Sequence, residues 1–242
     1  MLLYIIRHGD PTYNENDDLT PKGTLQAAAL GKRLARYGMD KIYSSPRPRA
    51  ISTAKPLCDL LNKDVEILDF ANEDIYWNAF AYEMKPGVGE WCFCSPEGRQ
   101  ELRSAEIAKL GKEWYKADYF NRIGVHPEEC CRNLREKSDA FLESLGYQHE
   151  KEGSRYKILQ HNEMRVAVFC HFGFCLTWLG TLLDMPHPLA WTTFVTSHSN
   201  VSVIRFADNR FGYTVPTLLT HSNDAHIYGE GLPTQYCNYL NF

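Results

Sequence analysis

"YIIRHGDPTYN", residues 4–14, carries an apolar run that stops abruptly at an arginine, a histidine and a glycine. Residues 2–6 are almost continuously apolar, the pattern of a strand covered on both faces of an α/β sheet. "RVAVFCHFG", residues 165–173, repeats the pattern and again ends in a histidine and a glycine. In an open α/β sheet, ligands bind beyond the carboxyl ends of the strands, so both histidines fall where chemistry is expected.

The flanking sequence supports that sheet. "LTPKGTLQAAALGKRLARYG" (19–38) reads as a helix, with Thr20 as N-cap, Pro21 in the first turn and Gly38 as terminator. "DKIYSS" (40–45) reads as a second strand and "RPRAISTAKPLCDLLN" (47–62) as a second helix, kinked at Pro56. "VEIL" (65–68) is a third strand candidate. This alternation predicts an α/β fold: a three-layer α/β/α sandwich with a mainly parallel central sheet and right-handed crossovers. Residues 73 to about 130 break the pattern with aromatics, Gly and Pro, then a charged helix from about Pro96 to Phe120. A helix follows from about Glu128 to Leu145, then a polar loop or edge hairpin over 146–163. "GFCLTWLGTLLDM" reads as an apolar helix closed by Pro186, with "NVSVIRF" and "YTVPTLLT" as a final strand pair. The expectation is one domain over 1–242, carrying a helical and loop cap insertion at about 73–165.

The 242 residues are 44% hydrophobic and 23% charged, an ordinary globular balance. A formal charge of −4 and a pI near 6.1 argue against a broad nucleic-acid or anionic-membrane footprint. Any bound anion must therefore sit in a local positive pocket. "MLLYII" lacks a basic leader and is ended at once by Arg7, and no run reaches the ~18 apolar residues of a membrane span. We expect a cytoplasmic protein with no membrane partner. Eight cysteines, Cys58, Cys92, Cys94, Cys130, Cys131, Cys170, Cys175 and Cys237, then read as reduced thiols. They include no C-x-x-C pair, and Cys170, His171 and Cys175 match no usual metal-ligand spacing, so no metal or cofactor is expected.

Three distant segments thus send Arg7, His8, Arg49 and His171 toward one sheet edge, Arg49 from the start of the second helix. Their chemistry suits a phosphoryl group. Arginines grip its equatorial oxygens in fork geometry, and helix N-termini add backbone donors. A neutral imidazole can attack phosphorus to form a phosphohistidine, while a second one supplies a donor or positive charge.

On "RHGDPTYN" (7–14), "LTPKGTLQA" (19–27), "YSSPRPRAISTA" (43–54), "VFCHFG" (168–173) and "NDAHI" (223–227), the chain resembles the histidine phosphatase superfamily, the phosphoglycerate mutase-like proteins. Phe-Gly after the second histidine resembles the branch 1 mutases and small-molecule phosphatases, not the acid phosphatases. The resemblance implies His8 as the phosphorylated nucleophile, with Arg7, Arg49 and His171 around the phosphate. Asn14 resembles a pocket-lining polar residue of many members, and it also suits a helix or turn cap. A glutamate usually protonates the leaving group in this branch. Glu73, after the third strand and before Tyr76 and Trp77, matches that placement best, with Glu83 second and Glu90 and Glu101 behind. The family's Gly-x-Trp-Glu-Gly stretch is absent, "GVGEWCFC" being a loose echo.

The resemblance implies a metal-independent phosphomonoester hydrolase acting on a small phosphorylated metabolite. A phosphoglycerate-type mutase and a catalytically weak phospho-ligand binder stand as alternatives. A mutase wants extra cations in the cap, yet residues 74–98 hold only Lys85 among six aromatics, with Arg99 and Arg103 just beyond. Most of those aromatics suit a cap core and some suit an apolar or aromatic leaving group. His226 reads as structural, and His126, His161, His187, His198 and His221 as loop or surface residues. The sequence leaves the oligomeric state open, a homodimer included.

Overall fold

The structure, a computed structural model, describes residues 1–13, 16–233, 235, 236, 240 and 241. The N-terminal apolar run forms β1 (Leu2–Arg7), whose side chains alternate between two cores: Leu3 and Ile5 enter one, Tyr4 and Ile6 the other. It is followed by α1 (Pro21–Ala35), β2 (Lys41–Ser44), α2 (Pro48–Leu61) and β3 (Glu66–Ile67). Next come α3 (Glu73–Phe80), β4 (Ala81–Lys85), β5 (Val88–Trp91), α4 (Pro96–Glu101), α5 (Ala105–Leu110), α6 (Asp118–Ile123) and α7 (Pro127–Ser144). A short hairpin of β6 (Tyr147–His149) and β7 (Tyr156–Ile158) precedes β8 (Arg165–Cys170). The chain continues through α8 (Phe172–Leu182), α9 (His187–Thr193), β9 (Val201–Arg205), β10 (Tyr213–Thr214), β11 (Thr217–Asn223) and α10 (Ala225–Gly229).

The central sheet runs β11-β9-β1-β8-β2-β3, parallel from β1 to β3, with β9 and β11 antiparallel at one edge. Leu30, Leu34 and Leu57 of α1 and α2 pack with Tyr4 and Ile6 on one face. Phe141 of α7 and Leu176 and Trp178 of α8 pack with Leu3 and Ile5 on the other. Both faces of the central strands β1 and β8 are covered, which is why their runs over residues 3–6 and 166–170 are apolar. The β1–β8 register pairs Arg7 with Cys170, so His8 and His171 leave the sheet side by side.

Several expectations need correction. The single helix from Pro96 to Phe120 is instead α4, α5, a 3-10 segment (Gly111–Lys116) and α6. Ser95 and Ser104 each accept an N-cap hydrogen bond, and Gly111 turns the chain at φ +57, a conformation that favours glycine. The third strand shrinks to two residues. "YTVPTLLT" divides at Pro216, which has no N–H for a ladder: β10 pairs with β7 and β11 with β9. The aromatic stretch after Asn72 forms a helix and a hairpin, α3 and β4–β5, placed against α8 through Tyr76 and Phe174, whose rings lie 5.3 Å apart. No helix among the described residues is long and apolar enough to cross a membrane. Seven cysteines, all but Cys237, lie within the described side chains and are free thiols.

Candidate active site

Close backbone packing sets the floor of the site. A Cβ on Gly9 would lie 2.8 Å from the Gly23 carbonyl oxygen, and one on Gly23 would lie 2.1 Å from that of Asp10. Glycine at both places lets α1 press against the end of β1. Gly9 N–H donates to Thr53 Oγ1 (2.9 Å), tying the strand end to α2.

His8 is buried beneath a cavity of about 550 Å³ that it lines together with Arg7, Arg49 and Glu73. Its Nδ1 lies 2.7 Å from the Gly9 carbonyl oxygen. A carbonyl only accepts, so Nδ1 carries the proton and Nε2 keeps its lone pair. Burial, reinforced by the charges of His171, Arg7, His198 and Arg49, holds its pKa well below the usual imidazole value. His8 is therefore held neutral, with Nε2 unprotonated.

Arg7 Nη1 donates to the Thr196 carbonyl (2.6 Å), and Nη2 lies 2.8 Å from His198 Nε2. Its guanidinium carbon sits 5.1 Å from the centre of the Phe172 ring. His198 Nδ1 in turn lies 3.3 Å from Asp10 Oδ1, and Asp10 Oδ2 accepts from Thr20, the N-cap of α1. Burial, with the charge of Arg7, lowers the His198 pKa to about 4, so Nε2 is free to accept from Arg7. His198 does lie in a loop, between α9 and β9, but the surface reading is overturned: it is 2% exposed, with its ring centre 5.5 Å from that of His8.

His171 is the N-cap of α8, fully buried, with its ring centre 5.1 Å from that of His8. Its Nε2 lies 2.7 Å from Ser45 Oγ, while Nδ1 has no hydrogen-bond partner among the described residues. Burial, then Arg49 and Arg7, depresses its pKa too, which favours a neutral ring over the positive charge that the sequence left open. It packs beside His8 but does not line the cavity.

Among the glutamates, Glu73 and Glu90 reach the cavity. Glu73, the first residue of α3, accepts from Gly173 N (2.8 Å) and Phe174 N (2.9 Å) at the N-terminus of α8. Burial raises its pKa to about 7 against those two donors and the nearby arginines. Glu83 is exposed and accepts from Gly87 N within the β4–β5 turn, and Glu101 pairs with Arg122. Trp91 closes over the start of α8 so tightly that a Cβ on Gly173 would fall 2.4 Å from its ring.

The cavity mouth adds residues the sequence did not single out. Asp17 ion-pairs with Arg49 and, at 2.8 Å, with Arg47, which also reaches Asp74 (3.1 Å). Trp77, Trp91, Phe172 and Phe194 line the walls, whereas Tyr76, Phe80 and Phe93 belong to the core. Arg99 reaches the cavity, anchored to the Thr192 carbonyl (2.8 Å); Arg103 does not. His226 bridges Arg33 and Ser199, and Ser199 N–H donates to the His8 carbonyl. Asn14 lies outside the described residues. Among the described residues, no three His, Cys, Asp or Glu side chains are placed to hold a metal ion.

Residues 3–216 match the model of the histidine phosphatase superfamily, branch 1. The chain belongs to that superfamily. Among curated relatives of this chain, a putative phosphoserine phosphatase 2 of Hydrogenobacter thermophilus is 37% identical over 73 residues, 27% of this chain and 36% of the relative. A 2,3-bisphosphoglycerate-dependent phosphoglycerate mutase of Thermoplasma acidophilum is 37% identical over 70 residues, 25% of this chain and 35% of the relative. The chain thus matches about a third of the length of these relatives. The Entamoeba histolytica phosphoserine phosphatase, solved with 3-phosphoglyceric acid, shares the fold at 22% identity and TM-score 0.58, over 93% of this histidine phosphatase and 98% of its own chain.

Proposed function

We propose that this histidine phosphatase is a metal-independent phosphomonoester hydrolase acting on a small phosphorylated metabolite through a phosphohistidine at His8. The reading is carried by the convergence of Arg7, His8, Arg49 and Glu73 on one cavity. His8 Nε2 attacks phosphorus while Arg7 and Arg49 hold the equatorial oxygens, and the buried His171 ring packs beside the nucleophile. Glu73 gives its proton to the departing alkoxide as the P–O bond breaks. As carboxylate it then takes a proton from the water that cleaves the P–N bond, releasing phosphate and restoring neutral His8. The arginines supply the positive charge that a divalent ion would otherwise bring.

Residues 73–165 act as a cap on the α/β domain in this reading. Two tryptophans from that cap, Trp77 and Trp91, favour an apolar or aromatic leaving group. Arg99 in the same cavity favours a second reading, a phosphomutase that holds a second anionic group. Phosphate release from aryl and alkyl monoesters, measured beside phosphoglycerate isomerisation, separates the two. His8→Ala should abolish turnover and the acid-labile phosphoenzyme, and a chelator should leave the wild-type rate unchanged. Retained turnover in the variant, or loss with chelator and recovery with a divalent ion, would overturn the scheme.

A further inference from the structure

Arg7 and Arg49 both line the cavity with His8 and Glu73. Asp17, 8% exposed, lines it too and ion-pairs there with Arg49 and with Arg47. Asp17 gets there from the loop between β1 and α1, with a left-handed backbone (φ +49) that residues other than glycine adopt sparingly. A bridge between Pro11 and Leu19 and a Thr12 N–H to Asp18 carbonyl hydrogen bond (2.8 Å) close that loop. The position is built, and it puts a carboxylate on the Arg49 guanidinium within the cavity that His8 lines.

We propose that Asp17 is an internal counter-anion of the oxyanion site, which lowers its affinity for free phosphate and so favours esters over the hydrolysis product. This rests on the phosphatase reading above. A dianion entering the site must displace the Asp17 carboxylate from Arg49 or accept its repulsion at close range. An ester offsets that penalty by laying its leaving group against Trp77 and Trp91. Inorganic phosphate has no leaving group, and departs.

The test is calorimetric titration of the full chain with inorganic phosphate, alongside phosphate inhibition of aryl phosphate hydrolysis. Asp17→Asn removes the charge and keeps the shape. It should bind phosphate roughly tenfold tighter or more, the scale of one close charge at a partly buried site. Asp17→Glu should keep the weak affinity. Asp17→Ser serves as a second uncharged variant should Asn disturb the loop, with thermal melts checking that each is folded. Unchanged or weaker phosphate binding in the folded uncharged variants, with binding intact in the wild type, overturns the Asp17 assignment alone. Absence of phosphate binding in wild type and variants alike overturns the phosphatase reading and this inference with it.

Discussion

At the level of single residues, Glu73 is held between opposed forces: burial favours its acid form, and two amide donors at a helix N-terminus favour its ion. With a pKa near 7 it is largely protonated below neutrality. The rate on alkyl esters should therefore fall as pH rises through about 7, while aryl esters, which leave without a proton, should respond less. Glu73→Gln should lower kcat on alkyl esters by roughly 10²–10⁴ with little change in KM, read from steady-state kinetics. His198→Ala removes an acceptor from a buried arginine and should reduce kcat/KM roughly 10- to 100-fold; His198→Gln should restore part of it. Recovery with Gln distinguishes orientation of Arg7 from mere filling of space. His8 and Arg49 were legible because each sits at a fixed offset from a strand or helix end. His198 was not, since the arginine it serves is 191 residues away.

At the level of elements, α8 does two tasks at once, carrying His171 at its N-cap and cradling Glu73 on its first free amides. Trp91 seals that end, so Gly173→Ala forces a Cβ into an aromatic ring. The substitution should cost about 1–3 kcal/mol of stability, measured by urea denaturation, and should slow turnover by shifting Trp91 over Glu73. An unchanged urea midpoint would contradict that packing. The helices α1, α2, α7 and α8 were readable because their apolar stripes recur at helical spacing. The stretch from Pro96 to Ile123 was not, because charged residues fill it and its breaks depend on serine caps and on a glycine at positive φ.

At the scale of the whole molecule, burial makes six imidazoles of the described residues titrate low: His8, His171, His187, His198, His221 and His226. Each stays neutral in the folded chain where the unfolded chain would bind a proton, so acid favours unfolding. For His187, His198 and His226, depressed from 6.5 to about 4, the loss across that window is about 3 kcal/mol each. Glu73 works in the opposite direction: raised from 4.5 to about 7, it adds about 3 kcal/mol as pH falls across that range. The histidines outnumber it. The urea midpoint should drop steeply between pH 6.5 and 4, and a flat or rising midpoint there would falsify this balance.

The sequence by itself determined the strand ends, the order of the α/β elements and the Arg-His chemistry at the sheet edge. Those features are written locally, in apolar periodicity, caps and residues adjacent in the chain. Only the tertiary structure decided that Glu73 is buried in the cavity that His8 lines, that His198 meets Arg7, and that Asp17 pairs with Arg49. These pairings join segments far apart in the chain, and burial, with the charges and donors it brings close, sets the protonation state of each group. No local pattern encodes either one.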